Sequence, residues 1–410
     1  MANSGSELKK IPIDSVTIGM YVEDVVDSDN KLLISTHEAI RNDNQINRIR
    51  KRGVQYVYIN LTKGANSDPE STATESAISN ISPANEASRR REIAYYKELE
   101  GAKEAHSSAI ATSRSIMNTI KAGHLPEAKV VLAAAEEMVS SIDRNSEALI
   151  SLTQLKDYDD YTFTHSVNVG ILTAATAKQM GYSSDEAAFA GMGGLLHDIG
   201  KMKISEALLN KQGKLSEAEY SMLKRHAVFG IEMVNSMRGI PDIAKKVVLQ
   251  HHERINGKGY PFGVKAERIH EMGLVAGAID VYDALTSERV YKSAWTPQKA
   301  LAILFKGIDS EFSRDIVEIF TRQMGIYPVG SFVKLKSGAM GVVVHVDQGS
   351  LLTPKIALVI DENGKRIATS TIVDLFREQR LDGGDKFKIE VSLNPAAYNI
   401  KLADYIGHRL

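Results

Sequence analysis

The chain has 410 residues, of which 43% are hydrophobic and 25% charged, and its formal net charge is −1. These values are typical of a water-soluble globular protein of two or three domains, and they exclude broad electrostatic binding to nucleic acid or membrane. The absence of cysteine excludes disulfides and thiolate metal sites, so a metal would need imidazole and carboxylate ligands. No signal-peptide pattern opens the chain and no apolar run could span a bilayer, so we predict a cytoplasmic protein.

The sequence pattern of residues 1–63 predicts a small α/β domain, for which we expect a regulatory role. Strand patterns occur at residues 16–22, 31–34 and 54–59, and a short basic helix is predicted at 44–52. The basic residues of that helix could bind a phosphate, although such a cluster is more often a solvated helix face. Residues 64–87 are rich in Ser, Ala, Asn and Glu and lack periodicity, which predicts a flexible linker.

The middle of the chain is helical in pattern and its end is not. Residues 88–155 predict a helical connector with a break near 123–126, and 156–325 predict a bundle of consecutive helices. Expected helices there are 167–180, 185–197, 217–236, 243–252 and 272–285, with start signals at Ser183, Ser216 and Thr296. Residues 326–410 predict a small β-rich appendage, in which His345 is expected to be a strand face residue.

The strongest chemical signal is the stretch Leu195-Leu196-His197-Asp198-Ile199-Gly200-Lys201. Adjacent helical residues point about 100° apart, so His197 and Asp198 can share a metal only where the helix ends. We expect Gly193, Gly194 and Gly200 to supply the backbone freedom for that turn. Further candidate ligands surround this stretch: His165, His226, His251, His252 and Asp280.

Ligands that project inward from several helices are the usual way in which a bundle holds metals. Imidazole and carboxylate suit Fe, Mn or Zn, and the mixture does not select among them. Asp198 stands between two histidine groups in the sequence, so we predict that it bridges two metals, which would together activate water for phosphoryl displacement. Lys201, about one turn beyond His197, is predicted to neutralise a phosphate oxygen.

After His252 the sequence continues Glu253-Arg254-Ile255-Asn256-Gly257-Lys258-Gly259-Tyr260-Pro261. The glycines, aromatic residue and proline predict a fixed loop rather than a helix. Beside a metal centre this loop could form a substrate wall in which Tyr260 stacks or hydrogen-bonds. Local features fit a plain connecting loop equally well.

Taken together, residues 156–325 resemble an HD-GYP domain, the branch of the HD superfamily that hydrolyses cyclic dinucleotides, chiefly cyclic di-GMP. The matching motifs are His165-Ser166-Val167-Asn168-Val169, His197 to Lys201, His226, His251-His252-Glu253, Gly259-Tyr260-Pro261 and Asp280 to Arg289. The N-terminal domain resembles a short domain of unknown function that often precedes HD-GYP domains. The fold class implied is mainly α: an HD-superfamily helical bundle with a small N-terminal α/β domain and a small C-terminal β-rich appendage.

The resemblance implies one metal bound by His165, His197, Asp198 and Asp280, and a second bound by Asp198, His226, His251 and His252. It implies that Lys201 and Arg289 contact substrate phosphate, that Glu253 and Asp283 support the site, and that the metals are iron or manganese.

Two positions depart from the family pattern. Asn256 replaces the usual Asp of the loop, and we expect it to keep the turn. Tyr161 occupies the position at which members with three metals have Glu, while Asp159 and Asp160 are offset. We therefore predict two metals.

The predicted activity is a metal-dependent phosphodiesterase that opens cyclic di-GMP, or alternatively 3′,3′-cyclic GMP-AMP, to a linear dinucleotide in bacterial second-messenger signalling. The alternatives are a non-catalytic cyclic dinucleotide receptor and a general HD-superfamily nucleotide phosphohydrolase. Predicted partners are the cyclic dinucleotide, a second copy of the chain, and a signalling protein that contacts the GYP loop or the N-terminal domain. No DNA, RNA or membrane partner is expected.

Overall fold

The structure is a computed structural model that describes residues 8–16, 20–26, 32–40, 56–60, 83–155, 161–287, 294–347, 349–381 and 383–406. The chain divides into two compact units, residues 1–93 and 94–410. The predicted fold class is confirmed, because a helical bundle occupies the middle of the chain and a small sheet lies in sequence before and after it. Among the described residues, no helix combines the length and the apolar character that crossing a membrane requires.

The first unit contains a four-stranded antiparallel sheet. Its strands are β1 (Leu8–Pro12), β2 (Tyr21–Val26), β3 (Leu32–Ala39) and β4 (Tyr56–Asn60), in the order β1-β4-β2-β3. Alternate residues of β4, Val57 and Ile59, are buried with Ile11 and Val22 in a small core. The lysine-rich strand β1 was not predicted. Of the predicted strand 16–22, residues 21 and 22 lie in β2, and residues 17–19 lie outside the described residues. The predicted basic helix 44–52 lies outside the described residues.

Two long helices, α1 (Pro83–Lys121) and α2 (Ala128–Leu152), connect the first sheet to the bundle in sequence. Helix α1 begins within the range predicted as linker, and Pro83 suits a first turn, where no backbone N–H is required. The rest of that linker lies outside the described residues. The helices run antiparallel, since contacts later in α1 meet residues earlier in α2. Glu98 accepts hydrogen bonds from Arg144 (Nε, 2.6 Å) and Ser141 (2.9 Å), and Ser108 donates to Glu137 (2.8 Å).

The bundle follows as a series of shorter helices. They are α3 (Tyr161–Gln179), α4 (Ser184–Leu196), α5 (Glu206–Leu209), α6 (Glu217–Lys224), α7 (His226–Ser236), α8 (Asp242–Gln250), α9 (Glu271–Thr286), α10 (Pro297–Lys306) and α11 (Arg314–Met324). The three predicted start signals are confirmed: Ser183 and Ser216 form capping boxes, and Thr296 caps α10.

One predicted helix, residues 217–236, is wrong as a single element. Helix α6 buries none of its residues, whereas α7 buries His226, Ala227 and Gly230. A straight helix would continue the exposed face of α6, so the break at Arg225 is what turns His226 into the interior.

The glycines near the His-Asp pair do more than free the backbone. A Cβ on Gly194 would lie 2.6 Å from Cα of Gly170 in α3, and one on Gly193 would lie 2.6 Å from Cβ of Val247 in α8. Both are ordinary helical residues that permit close packing, so the predicted role in the turn was wrong for them. Gly200 does lie in the turn, where a Cβ would overlap the carbonyl oxygen of His226. These contacts bring the helices that carry the candidate ligands together.

The C-terminal residues form a five-stranded antiparallel sheet. Its strands are β5 (Phe332–Leu335), β6 (Met340–His345), β7 (Lys355–Ile360), β8 (Ile372–Asp374) and β9 (Ile389–Leu393), in the order β8-β7-β6-β5-β9, and a short helix, α12 (Leu375–Glu378), follows β8. One face packs Val333 and Val343, and the other packs Phe332 and Val342 against Ile400 of the tail. His345 is 3.6 Å from Glu147 of α2, outside both candidate metal groups. The domain boundaries drawn at residues 63, 87, 155 and 325 stay predictions.

Candidate metal centre

The predicted metal ligands converge in two groups inside the bundle. One group is His165, His197 and Asp280, and the other is Asp198, His226, His251 and His252. Within each group the candidate ligand atoms all lie within 4.8 Å of one another. Every predicted ligand position therefore lies in one of the two groups, although the side chains come from α3, α7, α9 and the ends of α4 and α8.

Asp198 lies between the groups and directs one oxygen toward each. Its Oδ2 is 3.3 Å from Nε2 of His197 and 3.8 Å from Nε2 of His165. Its Oδ1 is 3.5 Å from Nε2 of His226. A carboxylate with one oxygen toward each group could be shared between them, and the bridging role of Asp198 stays a prediction.

The histidine rings are oriented by hydrogen bonds through their other nitrogen. The Nδ1 atoms of His197, His226 and His251 lie 2.7, 2.8 and 3.0 Å from the carbonyl oxygens of Gly194, Leu223 and Val248. A carbonyl can only accept, so each Nδ1 carries a proton, and in a neutral ring the Nε2 presents its lone pair to the site. Because the carbonyls belong to the last turn before each histidine, the helix end itself fixes the tautomer.

This arrangement fits divalent cations. The Nε2 atoms of His226 and His251 are 3.3 Å apart and both present lone pairs. Among the described residues, Nε2 of His197 and Oδ1 of Asp198 are buried without a hydrogen-bond partner. Buried acceptors without a donor are costly, and cations held at the two groups would satisfy them.

Burial and neighbouring charged groups set the protonation states of the side chains in the site. Burial lowers the pKa of His251, with help from His252 and His197, to well below its usual range. It also lowers the pKa of His252 to about 3. Both imidazoles are therefore neutral near pH 7, which is the form that binds metals. Burial alone would raise the pKa of Asp198, but His197 and Lys201 outweigh it and hold that pKa well below the usual range.

Lys201 lies on the 3₁₀ turn 199–203 that follows the His-Asp pair. Its Nζ donates to Oδ2 of Asp198 at 2.5 Å, and its side chain is 39% exposed. The ammonium group is thus held against the Asp198 carboxylate while part of the side chain is exposed, and its phosphate contact stays a prediction. Arg289, the other predicted phosphate contact, lies outside the described residues, as do Asp159 and Asp160.

The loop after His252 is held in place by Glu253. Its carboxylate is buried and accepts from the backbone N–H groups of Phe262 (2.8 Å) and Val264 (3.1 Å). The ring of Tyr260 stacks on His252 with centroids 4.5 Å apart. Asn256 accepts from the N–H of Lys258 at 2.9 Å, so its predicted turn-forming role is confirmed. The loop is a built wall of the site and not a plain connection.

Asp283 supports the other side of the cluster. Its carboxylate contacts Nδ1 of His165 at 2.8 Å and accepts from Nδ2 of Asn168 at 3.0 Å and Oγ of Ser287 at 3.3 Å. The sequence reasoning gave no role to Asn168 or Ser287. Asn168 follows His165 by three residues and so shares its helix face, which was a usable signal. Tyr161 is the first residue of α3, and the number of metals stays a prediction.

Comparison with known families assigns each part of the chain. Residues 136–316 match the profile of an HD domain, residues 8–131 a domain of unknown function (DUF3391), and residues 332–381 a KOW domain associated with HD domains. A protein of Pseudomonas aeruginosa named as a cyclic di-GMP phosphodiesterase is 33% identical over 378 residues, which are 92% of this chain and 91% of that protein. The chain belongs to the HD-GYP family.

Two further comparisons bear on this HD-GYP protein. A 3′3′-cGAMP-specific phosphodiesterase of Vibrio cholerae is 32% identical over 168 residues, covering 41% of this chain and 36% of that protein. A solved structure of an HDG"Y"P protein from Bdellovibrio bacteriovorus overlaps 77% of this chain and 98% of its own, with a TM-score of 0.47 and 16% identity.

Proposed function

We propose that this HD-GYP protein is a metal-dependent phosphodiesterase that hydrolyses cyclic di-GMP, with 3′,3′-cyclic GMP-AMP as the alternative substrate, to a linear dinucleotide. The observation that carries the proposal is Asp198, which directs one oxygen toward each of two buried histidine groups. The names of the relatives from Pseudomonas aeruginosa and Vibrio cholerae support these two substrates.

The residues divide the chemistry among themselves. Asp198 and the surrounding histidines and Asp280 would hold two divalent ions, which we propose are iron or manganese. Such ions, when bound, lower the pKa of water and offset phosphate charge. Lys201 would place its ammonium group on a phosphate oxygen and stabilise the charge that develops in the transition state. Water adds to phosphorus, one ester P–O bond breaks, and the departing oxygen takes up a proton.

The surrounding residues keep this geometry fixed. Asp283 and the backbone carbonyls orient the ligand rings, and Glu253 fixes the loop that places Tyr260 against His252. We propose that Tyr260 and Arg289 contact the substrate. A cytoplasmic location, self-association through the helices at 88–155, and a protein partner for the loop or the N-terminal unit stay predictions.

The test is hydrolysis of cyclic di-GMP by protein purified anaerobically with Fe(II) or Mn(II), with cyclic GMP-AMP in parallel. We expect Asp198→Ala to lower turnover by about 10³-fold or more, since metal catalysis is worth several kcal/mol of transition-state stabilisation. Asp242→Ala is a matched control, because that side chain is 95% exposed at the start of α8.

Either outcome is informative. If the wild type opens one of the dinucleotides and Asp198→Ala does not, the phosphodiesterase assignment holds and the faster substrate defines the specificity. If the metal-loaded protein binds a cyclic dinucleotide but hydrolyses neither of the two, the phosphodiesterase proposal is wrong and the protein is a receptor. Cleavage of mononucleotides alone would indicate a general phosphohydrolase.

A further inference from the structure

A cavity of about 540 Å³ lies beside the metal cluster and has no part in the chemistry described so far. His165 is one of its lining residues, so the cavity and the metal cluster share a wall. The other walls come from the end of α2, the segment around Trp295, the start of β5 and the tail that follows β9. Its volume is within the range of small-molecule sites, which is roughly 300–1,000 Å³.

The cavity contains two hydroxyl groups that lack partners. Thr164 and Ser331 both line it, they are 4% and 1% exposed, and among the described residues neither hydroxyl has a hydrogen-bond partner. Buried polar groups are normally paired, because an unpaired one costs free energy. Because a Thr or Ser hydroxyl reorients by rotation about one side-chain bond, a ligand in the cavity could supply the hydrogen bonds that these two groups lack.

An aromatic residue completes the set. Trp295 lines the cavity, and its backbone N–H donates to the carbonyl of Leu285 at 2.9 Å, which fixes it beside the end of α9. An indole offers a face for a planar ring. Apolar walls, one large aromatic residue and a few hydroxyls are the features that bind a purine base, whose faces are apolar and whose edges form hydrogen bonds.

We propose that this cavity is a nucleobase subsite, completed by the C-terminal sheet and its tail, that takes one purine of the cyclic dinucleotide. The inference rests on the proposed function. His165 supports it, because this residue belongs to one ligand group and also lines the cavity, so a base in the cavity would lie within one side chain of the metal cluster.

The tail provides a matched pair of substitutions. Ala396 and Ala397 are adjacent exposed residues of the 3₁₀ helix 395–398, and of the two Ala396 lines the cavity. Ala396→Phe would fill the space from the tail, far in sequence from every metal ligand. Ala397→Phe adds the same ring to the same helix outside the cavity.

We expect Ala396→Phe to raise KM for cyclic di-GMP by about tenfold or more, which is the loss of one stacked base. Hydrolysis of bis(p-nitrophenyl) phosphate, a small diester without bases, should keep its rate because the metal cluster is unchanged. Ala397→Phe should match the wild type on both substrates. Ser331→Ala, which adds no bulk, should raise KM for the dinucleotide about threefold to tenfold if its hydroxyl binds the base.

Binding can be followed directly, because Trp295 is the single tryptophan of the chain. A phosphorothioate analogue of cyclic di-GMP that resists hydrolysis should change Trp295 emission in the wild type and in Ala397→Phe. The change should be lost in Ala396→Phe. Thermal unfolding of each variant checks that it is folded. If Ala396→Phe does not fold, Ser331→Ala serves as the test.

The two proposals fail in different ways. Suppose that the wild type hydrolyses cyclic di-GMP and that Ala396→Phe and Ser331→Ala have the same KM as the wild type. If the analogue also leaves Trp295 emission unchanged, the subsite is overturned. If the wild type hydrolyses no cyclic dinucleotide, the proposed function is overturned, and the response of Trp295 to the analogue still decides the subsite.

Discussion

The metal cluster and the cavity beside it share His165, yet they are built in different ways. The cluster consists of charged and polar side chains, and its ring nitrogens are held by carbonyl or carboxylate oxygens at 2.7–3.0 Å. The cavity is mostly apolar, and two of its hydroxyls have no partner among the described residues. Catalytic groups must be fixed before substrate arrives, whereas a binding surface can leave hydrogen bonds for the ligand to complete.

This difference predicts two kinds of variant. Changes in the cluster should slow hydrolysis of large and small phosphodiesters alike. Changes in the walls of the site should weaken only the binding of the cyclic dinucleotide. The predictions below run from the largest expected effect to the smallest.

Of the variants below, replacement of Lys201 should have the largest effect. We expect Lys201→Met to lower kcat by about 10²-fold on both cyclic di-GMP and bis(p-nitrophenyl) phosphate, as loss of one transition-state charge contact does elsewhere. Lys203→Met is the matched control, because Lys203 lies on the same turn, is 47% exposed and pairs with Glu232 at 3.5 Å. Equal rates for the two variants would remove Lys201 from the catalytic groups.

Asp283→Asn should weaken metal binding. The substitution keeps the shape of the side chain but places an amide where Nδ1 of His165 and Nδ2 of Asn168 now find carboxylate oxygens. Loss of such a supporting carboxylate typically costs about 10–100-fold in metal affinity or activity. Metal content after dialysis against a graded chelator measures the effect, and unchanged retention would mean that Asp283 supports only packing.

Glu253→Gln should change the loop wall and spare the cluster. One of the N–H groups of Phe262 and Val264 would then face an amide NH₂ in place of an oxygen. A hydrogen bond to a buried charged group is worth about 1.5–3 kcal/mol, so we expect a lower melting temperature and a higher KM for cyclic di-GMP. Metal content and the rate on bis(p-nitrophenyl) phosphate should stay constant, and a parallel loss of metal would contradict the separation of wall from cluster.

The smallest effect is expected at Glu98, in the connector. The hydrogen bond from Arg144 holds the pKa of Glu98 below its usual value, against burial that raises it, and Ser141 lowers it further. A depressed carboxyl pKa stabilises the fold above the unfolded-state value of 4.5 and loses that contribution as the pH falls through the folded-state pKa.

Glu98→Gln should therefore lower the free energy of unfolding by about 1 kcal/mol near pH 7, because Arg144 is half exposed and solvent screens the pair. The difference from the wild type should shrink in acid, as measured by urea unfolding between pH 7 and pH 3. Hydrolysis of both substrates should be unchanged. A difference that is constant with pH would mean that packing, and not the charge, is what Glu98 contributes.

The residues of the candidate site could be predicted from local patterns in the sequence. The candidate ligands, Lys201 and the loop residues occupy short motifs, and the capping boxes at Ser183 and Ser216 marked the helices that carry part of them. This worked because metal ligation and helix capping need particular residue types at particular spacings, and those spacings are local.

The surroundings of the site depend on contacts between distant segments, so they became visible only in the folded chain. The role of Gly194 depends on how closely α4 approaches α3, and the break before His226 depends on which side of α7 is buried. The cavity joins Thr164, Trp295, Ser331 and Ala396, which are far apart in the chain and share no motif. Contacts between distant segments depend on how many side chains pack together at once, so no local sequence pattern predicts them.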